Sequence, residues 1–203
     1  MIEEKNLLHT EGIVLNSFDY KEKERIVSLF TEKYGLLNLI IKRLSAQKSE
    51  GLMLSDLFSC GDFWIIKTKS GLYQLYQASI INDHGFLRKK FIYLKTAGGM
   101  GQAILASQWP EKPTPELYFL FKRYLLQIDR LENEKALLAS FYLKLLFHEG
   151  TFNWDQADSF RTEEIRQLKY LEGMKKFSDL KDISIEESMI ERLKQIIINM
   201  NNV

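Results

Sequence analysis

Two hydrophobic periods follow one another along the chain. In the first 80 or so residues, short apolar and β-branched runs are separated by polar turn residues, which predicts β-strands. After residue 82, apolar side chains recur every three or four positions, which predicts α-helices. The predicted strands cover residues 11–18, 25–31, 36–41, 63–68 and 72–81. The predicted helices cover residues 86–108, 117–131, 135–148, 162–171 and about 184–200.

The second predicted strand has an alternative interpretation. Ile26, Leu29, Phe30 and Tyr34 also fit one face of a helix that Gly35 would end. We prefer a strand because the run is short and its neighbours are strands. About five strands joined by short turns within roughly 80 residues fit a small closed barrel. An OB-fold and an SH3-like barrel fit this pattern nearly equally well.

The change of period predicts an α+β protein with two domains. Residues 1–81 would form a five-stranded barrel of the OB-fold or SH3-like type, and residues 82–203 an all-helical domain. The connector 109–115 holds all three prolines of the chain. Thr162 and Ser184, each followed by glutamates, are predicted to be N-caps because a hydroxyl and nearby acids both stabilise a helix N-terminus.

Composition narrows the class of protein. A hydrophobic content of 45% with 27% charged residues is typical of a folded chain. The single Cys60 excludes an internal disulfide and a cysteine-based zinc site. The first residues lack the order of a signal peptide, and no apolar run approaches the roughly 20 residues that span a bilayer. We therefore expect a cytoplasmic protein.

The net charge of +1 argues neither for nor against a nucleic-acid partner, but positive residues are clustered locally. Arg25 is compatible with a DNA contact or with an ion pair to Glu22 or Glu24. The full set of predicted DNA-binding residues is Arg25, Lys42, Arg43, Lys48, Lys67, Lys69, Arg88, Lys89 and Lys90.

Aromatic residues accompany the cations in the strand-rich half. Single-strand binders combine a cationic groove with aromatic side chains on which bases stack. The nearby aromatic residues are Tyr20, Tyr34, Phe63, Tyr73 and Tyr76. Each has a structural alternative, because a small barrel also needs aromatic side chains in its core.

No motif indicates catalysis or a cofactor. His9, His84 and His148 are far apart, and the chain has no HExxH motif, GxSxG motif or Walker A loop. The Gly98-Gly99-Met100-Gly101 run lacks the spacing of a phosphate-binding loop and lies in a helical stretch. It predicts a kink or a close helix–helix contact. We expect no cofactor, no metal and no enzymatic activity.

Several segments follow one another in an order typical of one protein family. They are Gly12–Leu15, Tyr20–Thr31, Gly35, the basic loop Lys42–Ser49, Gly71–Ala78 and the helical Phe141–Leu146. In this order the segments resemble RecO proteins, and the opening strand with the segment after it is the more specific part of the match.

This resemblance implies an N-terminal OB-fold, a helical C-terminal domain and a recombination mediator associated with the nucleoid. It implies binding of single- and double-stranded DNA and annealing of complementary strands. The implied partners are RecR and the single-strand-binding protein, with RecA loaded indirectly. Many members of the family carry a four-cysteine zinc module after the Phe141–Leu146 helix, but residues 150–159 contain no cysteine. The sequence therefore predicts a RecO without zinc.

Two rival functions differ in class. A protein-interaction adaptor would use the barrel and the apolar helices and would not bind DNA. A hydrolase or nuclease would need carboxylates and a divalent ion, and no carboxylate pair is singled out by the pattern.

Overall fold

The computed structural model describes residues 7–22, 24–42, 56–68, 71–152, 154 and 160–200. Within these ranges, the strands close into a barrel in the order β1-β2-β3-β5-β4, with β4 returning to β1. The strands are β1 (Leu7–Lys21), β2 (Glu24–Thr31), β3 (Gly35–Lys42), β4 (Cys60–Lys67) and β5 (Tyr73–Asn82). The neighbours are antiparallel except β3 and β5, which are parallel. This closed five-stranded barrel confirms the predicted OB-fold.

β1 is long enough to pair with two neighbours. Its first half pairs with β4 from Leu7 to Ile13, and its second half pairs with β2 from Gly12 to Lys21. Register shifts after Val14 and after Asp19 place bulges in β1, which lets the strand bend around the barrel. Residues 25–31 are confirmed as a strand, so the helical alternative for this segment is wrong.

The barrel core is apolar. Inward side chains alternate along each strand with outward ones, as a pleated sheet requires. The buried core residues are Val14, Val27, Leu29, Leu37, Leu39, Ile41, Phe63, Ile65 and Tyr73.

The second half is helical, as predicted. A 3-10 helix, Gly85–Lys89, comes first, and another, Phe177–Leu180, lies between the last two α-helices. The α-helices of the described residues are α1 (Phe91–Ser107), α2 (Pro115–Leu125), α3 (Ile128–Leu131), α4 (Glu134–His148), α5 (Thr162–Gly173) and α6 (Glu187–Asn199).

The predicted helix over 117–131 is two helices rather than one. The backbone N–H of Gln127 donates to the carbonyl of Tyr124 at 3.0 Å, a three-residue turn that interrupts the α-helical ladder. Glu132 then adopts a left-handed conformation with φ of 54°, which ends α3.

Both predicted N-caps are wrong by one or two residues. α5 is capped at Arg161, whose backbone N–H donates to Glu164 Oε2 at 2.8 Å, so Thr162 is already inside the helix. α6 is capped at Glu186, and the Ser184 carbonyl instead accepts a hydrogen bond from Gln167 Nε2 at 2.9 Å. In α5 the Glu164 side chain thus accepts from the N–H of the N-cap residue itself, as the glutamate of a capping box does.

The glycine run lies inside α1 and permits close helix packing. A Cβ at Gly99 would lie 2.9 Å from the Tyr142 hydroxyl and 3.2 Å from Leu138 Cδ1, both on α4. This confirms the close helix–helix contact expected for this run.

The chain divides into two compact units. The barrel unit comprises Met1–His84 and Gln108–Phe119, and the helical unit comprises Gly85–Ser107 and Leu120–Val203. Residues 108–119 therefore belong to the compact unit of the barrel, although they follow α1 in the sequence. The assignment of 1–81 and 82–203 as functional domains stays a prediction. None of the helices in the described ranges is long and apolar enough to cross a membrane.

Residues 108–119 cover one side of the barrel. Tyr118 is fully buried, and its ring lies 5.7 Å from that of Phe30. Its hydroxyl donates to Glu11 Oε1 at 2.6 Å and lies 4.0 Å from the Cys60 sulfur. Burial, the Cys60 and Glu11 charges and these hydrogen bonds raise the pKa of Tyr118 well above its usual range. Cys60 is a small buried side chain, as expected.

Candidate nucleic-acid interface

The outer face of β1, β2 and β3 carries an apolar cross-strand row. Phe18 pairs with Ile26, and Ile26 pairs with Ile40. The neighbouring row contains the core residues Val27 and Leu39, so alternation directs the Phe18 row outward. Phe18 is 46% exposed, and both isoleucines are partly exposed.

Tyr20 adds a second aromatic ring beside this row. Tyr20 occupies the bulge between Asp19 and Lys21 and is 50% exposed. The Lys21 ammonium lies 5.1 Å from the centre of the Tyr20 ring. We call Phe18, Tyr20, Lys21, Ile26 and Ile40 the strand-end patch. Exposed aromatic rings beside a cation are the features on which bases stack and phosphates bind.

The charges at this end of the barrel have mixed signs. Lys42, the last residue of β3, pairs in register with Glu24. The Lys21 ammonium lies 3.7 Å from Glu24 Oε2. Because Glu24 offsets part of this positive charge, a polyanion site here needs further cations.

Arg25 lies in the row next to the strand-end patch. It pairs in register with Asp19 and with the core residue Ile41. Its Nε donates to Asp19 Oδ1 at 2.9 Å, and the side chain is 27% exposed. This ion pair is with Asp19, a carboxylate that was not among the partners considered from the sequence.

Lys67 is held by a residue distant in sequence. Its ammonium lies 2.6 Å from Glu111 Oε2 and 5.4 Å from the centre of the Tyr73 ring. The hydrogen bond to Glu111 raises the pKa of Lys67, and the same bond lowers the pKa of Glu111. This pair connects β4 to the segment 108–119 within the barrel unit, so its cation already has a carboxylate partner.

Three other predicted cations belong to the helical unit. Arg88 and Lys89 are in the 3-10 helix Gly85–Lys89, and Lys90 follows it. The Lys90 ammonium lies 4.9 Å from the centre of the Tyr93 ring, and its interaction with Tyr93 raises the pKa of Lys90. Arg43, Lys48 and Lys69 lie outside the described residues, and for Lys42 only the backbone position is described.

The five aromatic residues considered from the sequence separate into two groups. Phe63 and Tyr73 belong to the barrel core, and Tyr34 packs against it. Tyr20 and Tyr76 are 50% and 56% exposed, and each occupies a bulge. A bulge inserts one extra residue and turns its side chain away from the regular alternation.

Sequence reasoning missed Phe18 and Lys21. Phe18 is the last residue of the predicted strand 11–18, whereas Lys21 lies beyond that end and after the bulge at Tyr20, which shifts the period-two alternation. It also missed a stacked pair on the outer face of β1 and β4, where the His9 and Trp64 rings lie 4.4 Å apart. His9 Nε2 lies 3.1 Å from Asp62 Oδ1, so an acid borders this second aromatic surface.

The described parts of the chain contain no candidate metal-binding group. No cluster of three or more His, Cys, Asp or Glu side chains there is placed to hold an ion. Where the zinc module was considered, the described residues contribute aromatic contacts: the Phe152 ring lies 5.3 Å from Phe147, 5.5 Å from Trp154 and 6.2 Å from Phe160.

Comparison with known proteins identifies the family. Residues 5–84 match the family described as Recombination protein O N terminal. The DNA repair protein RecO of Chlamydia pneumoniae is 30% identical over 190 residues, which cover 92% of this chain and 75% of that protein. The chain belongs to the RecO family. The DNA repair protein RecO of Clostridium perfringens is 30% identical over 146 residues, and that of Bacillus pumilus is 26% identical over 140 residues.

The extent of these matches differs. The match covers 58% of the Clostridium perfringens RecO and 54% of the Bacillus pumilus RecO. The matched family segment ends at residue 84 and so contains the strand-end patch but not residues 108–119. The RecO assignment therefore rests on the barrel and on the longer Chlamydia match.

Proposed function

We propose that this RecO is a recombination mediator that binds single- and double-stranded DNA and anneals complementary strands. The observation that carries the proposal is the strand-end patch, with exposed aromatic rings on the outer face of a closed OB-fold barrel. Its relatives are named DNA repair proteins, which supports a role in DNA repair. OB-folds bind oligonucleotides on the face of strands 2 and 3, where Ile26 and Ile40 lie.

In the proposed mode of binding, aromatic rings contact the bases and cations contact the phosphates. Phe18 and Tyr20 stack on bases, which tolerates any sequence because every base has a flat face. Lys21 and Lys42, together with Arg43 and Lys48 of the sequence that follows β3, neutralise phosphates. Arg25, Lys69 and the Arg88–Lys90 group are proposed as further contacts. Lys67 is expected to contribute least, because Glu111 already neutralises it.

The remaining parts of the proposal follow from family membership. RecR and the single-strand-binding protein are the proposed protein partners, and RecA is loaded onto covered single strands as the outcome. The proposed location is the cytoplasm, at the nucleoid. We propose a non-catalytic role because the sequence contains no recognised catalytic motif and the described residues contain no metal-binding group.

Binding of a labelled oligothymidine at a series of salt concentrations tests the cationic part. For single strands, the slope of log affinity against log salt is about −0.7 for each phosphate neutralised. Replacing Lys42, Arg43 and Lys48 together by alanine should make the slope about 2 smaller in magnitude. The matched control replaces Lys135, Lys181 and Lys194, which removes the same charge from the helical unit. Equal slopes in the two triple variants would refute this assignment.

The aromatic part needs a different readout. Tyr20→Ala should weaken oligothymidine binding by about 1 to 3 kcal/mol, the contribution of one stacked base, without changing the salt slope. Tyr170→Ala, which removes a tyrosine of similar exposure from the helical unit, is the control. A fluorescence assay of complementary-strand annealing then tests the mediator role. Tight binding without annealing would contradict that part of the proposal, and no binding at low salt would favour the protein-interaction adaptor.

A further inference from the structure

A small cavity in the helical unit is lined by four cations. It has a volume of about 230 Å³ and lies between α2, α4 and the segment after α5. α2 contributes Arg123, α4 contributes Lys144, and the segment contributes Lys175 and Lys176. Sequence reasoning missed this cluster because its members are up to 53 positions apart in the chain.

These cations are not neutralised by a carboxylate at ion-pair distance among the described residues, although the Glu172 charge acts on Lys144. None of the four forms an ion pair there, whereas other cations of the helical unit do, such as Lys95 and Lys135 with Glu187. Burial lowers the pKa of Lys144, and the Arg123 charge lowers it further, against an opposing effect of Glu172. Like charges gathered around a cavity repel one another, and an anion placed among them would relieve that repulsion.

Lys144 places a positive charge in a buried stretch of α4. It is partly buried and is the only charged residue between Phe141 and Leu146, a segment that is otherwise buried. Placing an ammonium group in such surroundings is unfavourable unless a charge compensates for it. The cavity gives that ammonium group access to a ligand.

Aromatic packing fixes the wall of the cavity. The Arg123 guanidinium lies 5.8 Å from the centre of the Phe177 ring. The edge of the Tyr124 ring contacts the same ring, with centroids 4.9 Å apart. The Tyr124 hydroxyl is 2.7 Å from Ser140 Oγ, which anchors Tyr124 to α4. The cation at this wall is therefore held in place before any ligand binds.

We propose that this cavity binds a phosphate group of a nucleic-acid strand and is a second, separate contact of this RecO with DNA. A volume of about 230 Å³ is below the range of drug-sized pockets but equals that of several water molecules, which suits a phosphodiester group. A single carboxylate would neutralise one of the four positive charges. A strand with one phosphate per nucleotide also supplies anions to the exposed Lys175 and Lys176. This inference rests on the proposed DNA binding.

Met174 provides a local reporter because it lines the same cavity. The full chain, labelled with ¹³C at its methionine methyl groups, would be titrated with oligothymidine and, separately, with inorganic phosphate. A Met174→Leu variant assigns the signal. The test variant is Lys175→Gln/Lys176→Gln, which removes two charges but keeps most of the length of both side chains. Lys181→Gln/Lys194→Gln is the control with the same change in charge.

We expect the Met174 signal to shift with oligothymidine in the wild type and the control but not in the test variant. The slope of log affinity against log salt should become smaller in magnitude by about 1.4 in the test variant, if each lysine neutralises one phosphate of a single strand. A weaker shift with inorganic phosphate would also support the site, since it offers the same anion without a strand.

Three results would overturn the inference. The first is oligothymidine binding without a Met174 shift and with an unchanged slope in the test variant; the proposed function would then survive. The second is a Met174 shift with inorganic phosphate but none with oligothymidine. The third is tighter binding of an acidic peptide than of oligothymidine at Met174, which would assign the cavity to a protein partner. Absence of all oligothymidine binding at low salt would instead refute the proposed function, and this inference with it.

Discussion

A buried carboxylate at the start of α5 allows a sharp test of how the helical unit is stabilised. The Glu164 side chain is almost fully buried and accepts hydrogen bonds from the Arg161 backbone N–H and from the Arg161 and Arg192 guanidinium groups. The Arg192 guanidinium also lies 5.3 Å from the centre of the Phe160 ring, and its Nε is buried. We predict that Glu164→Gln destabilises the helical unit, because glutamine keeps the shape but removes the charge.

The size of the effect follows from the bonds that change. Glutamine retains one oxygen, which can still cap the helix through the Arg161 N–H. The Arg192 pair is lost as a charged interaction, and hydrogen bonds between charged groups contribute about 1.5 to 3 kcal/mol. Arg192 then keeps its charge in a partly buried position with a weaker partner. We expect a loss of about 2 to 4 kcal/mol in the free energy of unfolding.

The stability that Glu164 contributes depends on pH. Burial raises the pKa of Glu164, but the hydrogen bonds of Arg161 and the charges of Arg192 and Arg161 outweigh it and hold this pKa below its usual value. A carboxyl group whose pKa is lowered in the folded state contributes stability above its unfolded value of about 4.3. That contribution is lost as pH falls through the lower folded value. The difference between wild type and Glu164→Gln should therefore be full at pH 7 and shrink below about pH 4.

Urea unfolding followed by circular dichroism measures the free energy, with the transition of each unit fitted separately. Glu163→Gln is the matched control, because Glu163 is the adjacent residue and is largely exposed in its pair with Arg166. The control should change the free energy of unfolding by at most about 0.5 kcal/mol. Equal losses in the two variants, or a difference that does not decrease in acid, would refute this account of Glu164.

Two other positions give further predictions. Asn133 caps α4 by accepting from the Ala136 N–H at 3.2 Å, and its Nδ2 donates to the Leu180 and Ile183 carbonyls at 2.7 and 2.9 Å. Asn133→Ala should lower the free energy of unfolding, measured in urea, by about 2 to 3 kcal/mol. Asn133→Ser should lower it by about 1 kcal/mol less, because a serine hydroxyl can still cap the helix. Equal losses in the two variants would count against the capping role. Gly35 has φ of 68°, and a Cβ there would lie 2.1 Å from the Lys112 carbonyl oxygen. Gly35→Ala should lower the melting temperature by several degrees, while Gly71→Ala, which meets no neighbouring atom, should cost only the strain of its φ.

The individual strands and helices could largely be predicted from the sequence. The β-branched runs around Val14 and Val27 and the helical spacing from Leu137 to Leu146 each follow from contacts within one element. The errors occur where a side chain overrides local preference. Glu164 moves the N-cap of α5 to Arg161, and the turn at Gln127 divides the predicted helix 117–131 into α2 and α3.

The candidate interface was harder to predict from the sequence, for a physical reason. Whether an aromatic residue faces water depends on the strand register, and a bulge shifts the register by one residue. On β5, Tyr73 is in the core and Tyr76, three positions later, is exposed, and the pairing of the strand decides which of the two faces inward. Ion pairs such as Lys67 with Glu111 and Arg25 with Asp19 depend on which segments meet in space. The spacing of residues along the chain does not show which distant segments are in contact.

The return of residues 108–119 to the barrel has a consequence for synthesis in the cell. The side of the barrel that contains Phe30 and Cys60 is covered by Tyr118, which is translated 34 residues after His84. At elongation rates of about 5 to 20 residues per second, the nascent barrel waits roughly 2 to 7 s for this cover. During that interval an apolar side of the new chain faces solvent, and a chaperone at the ribosome has time to bind it. A fragment that ends after β5 would keep that side exposed permanently and should aggregate on expression.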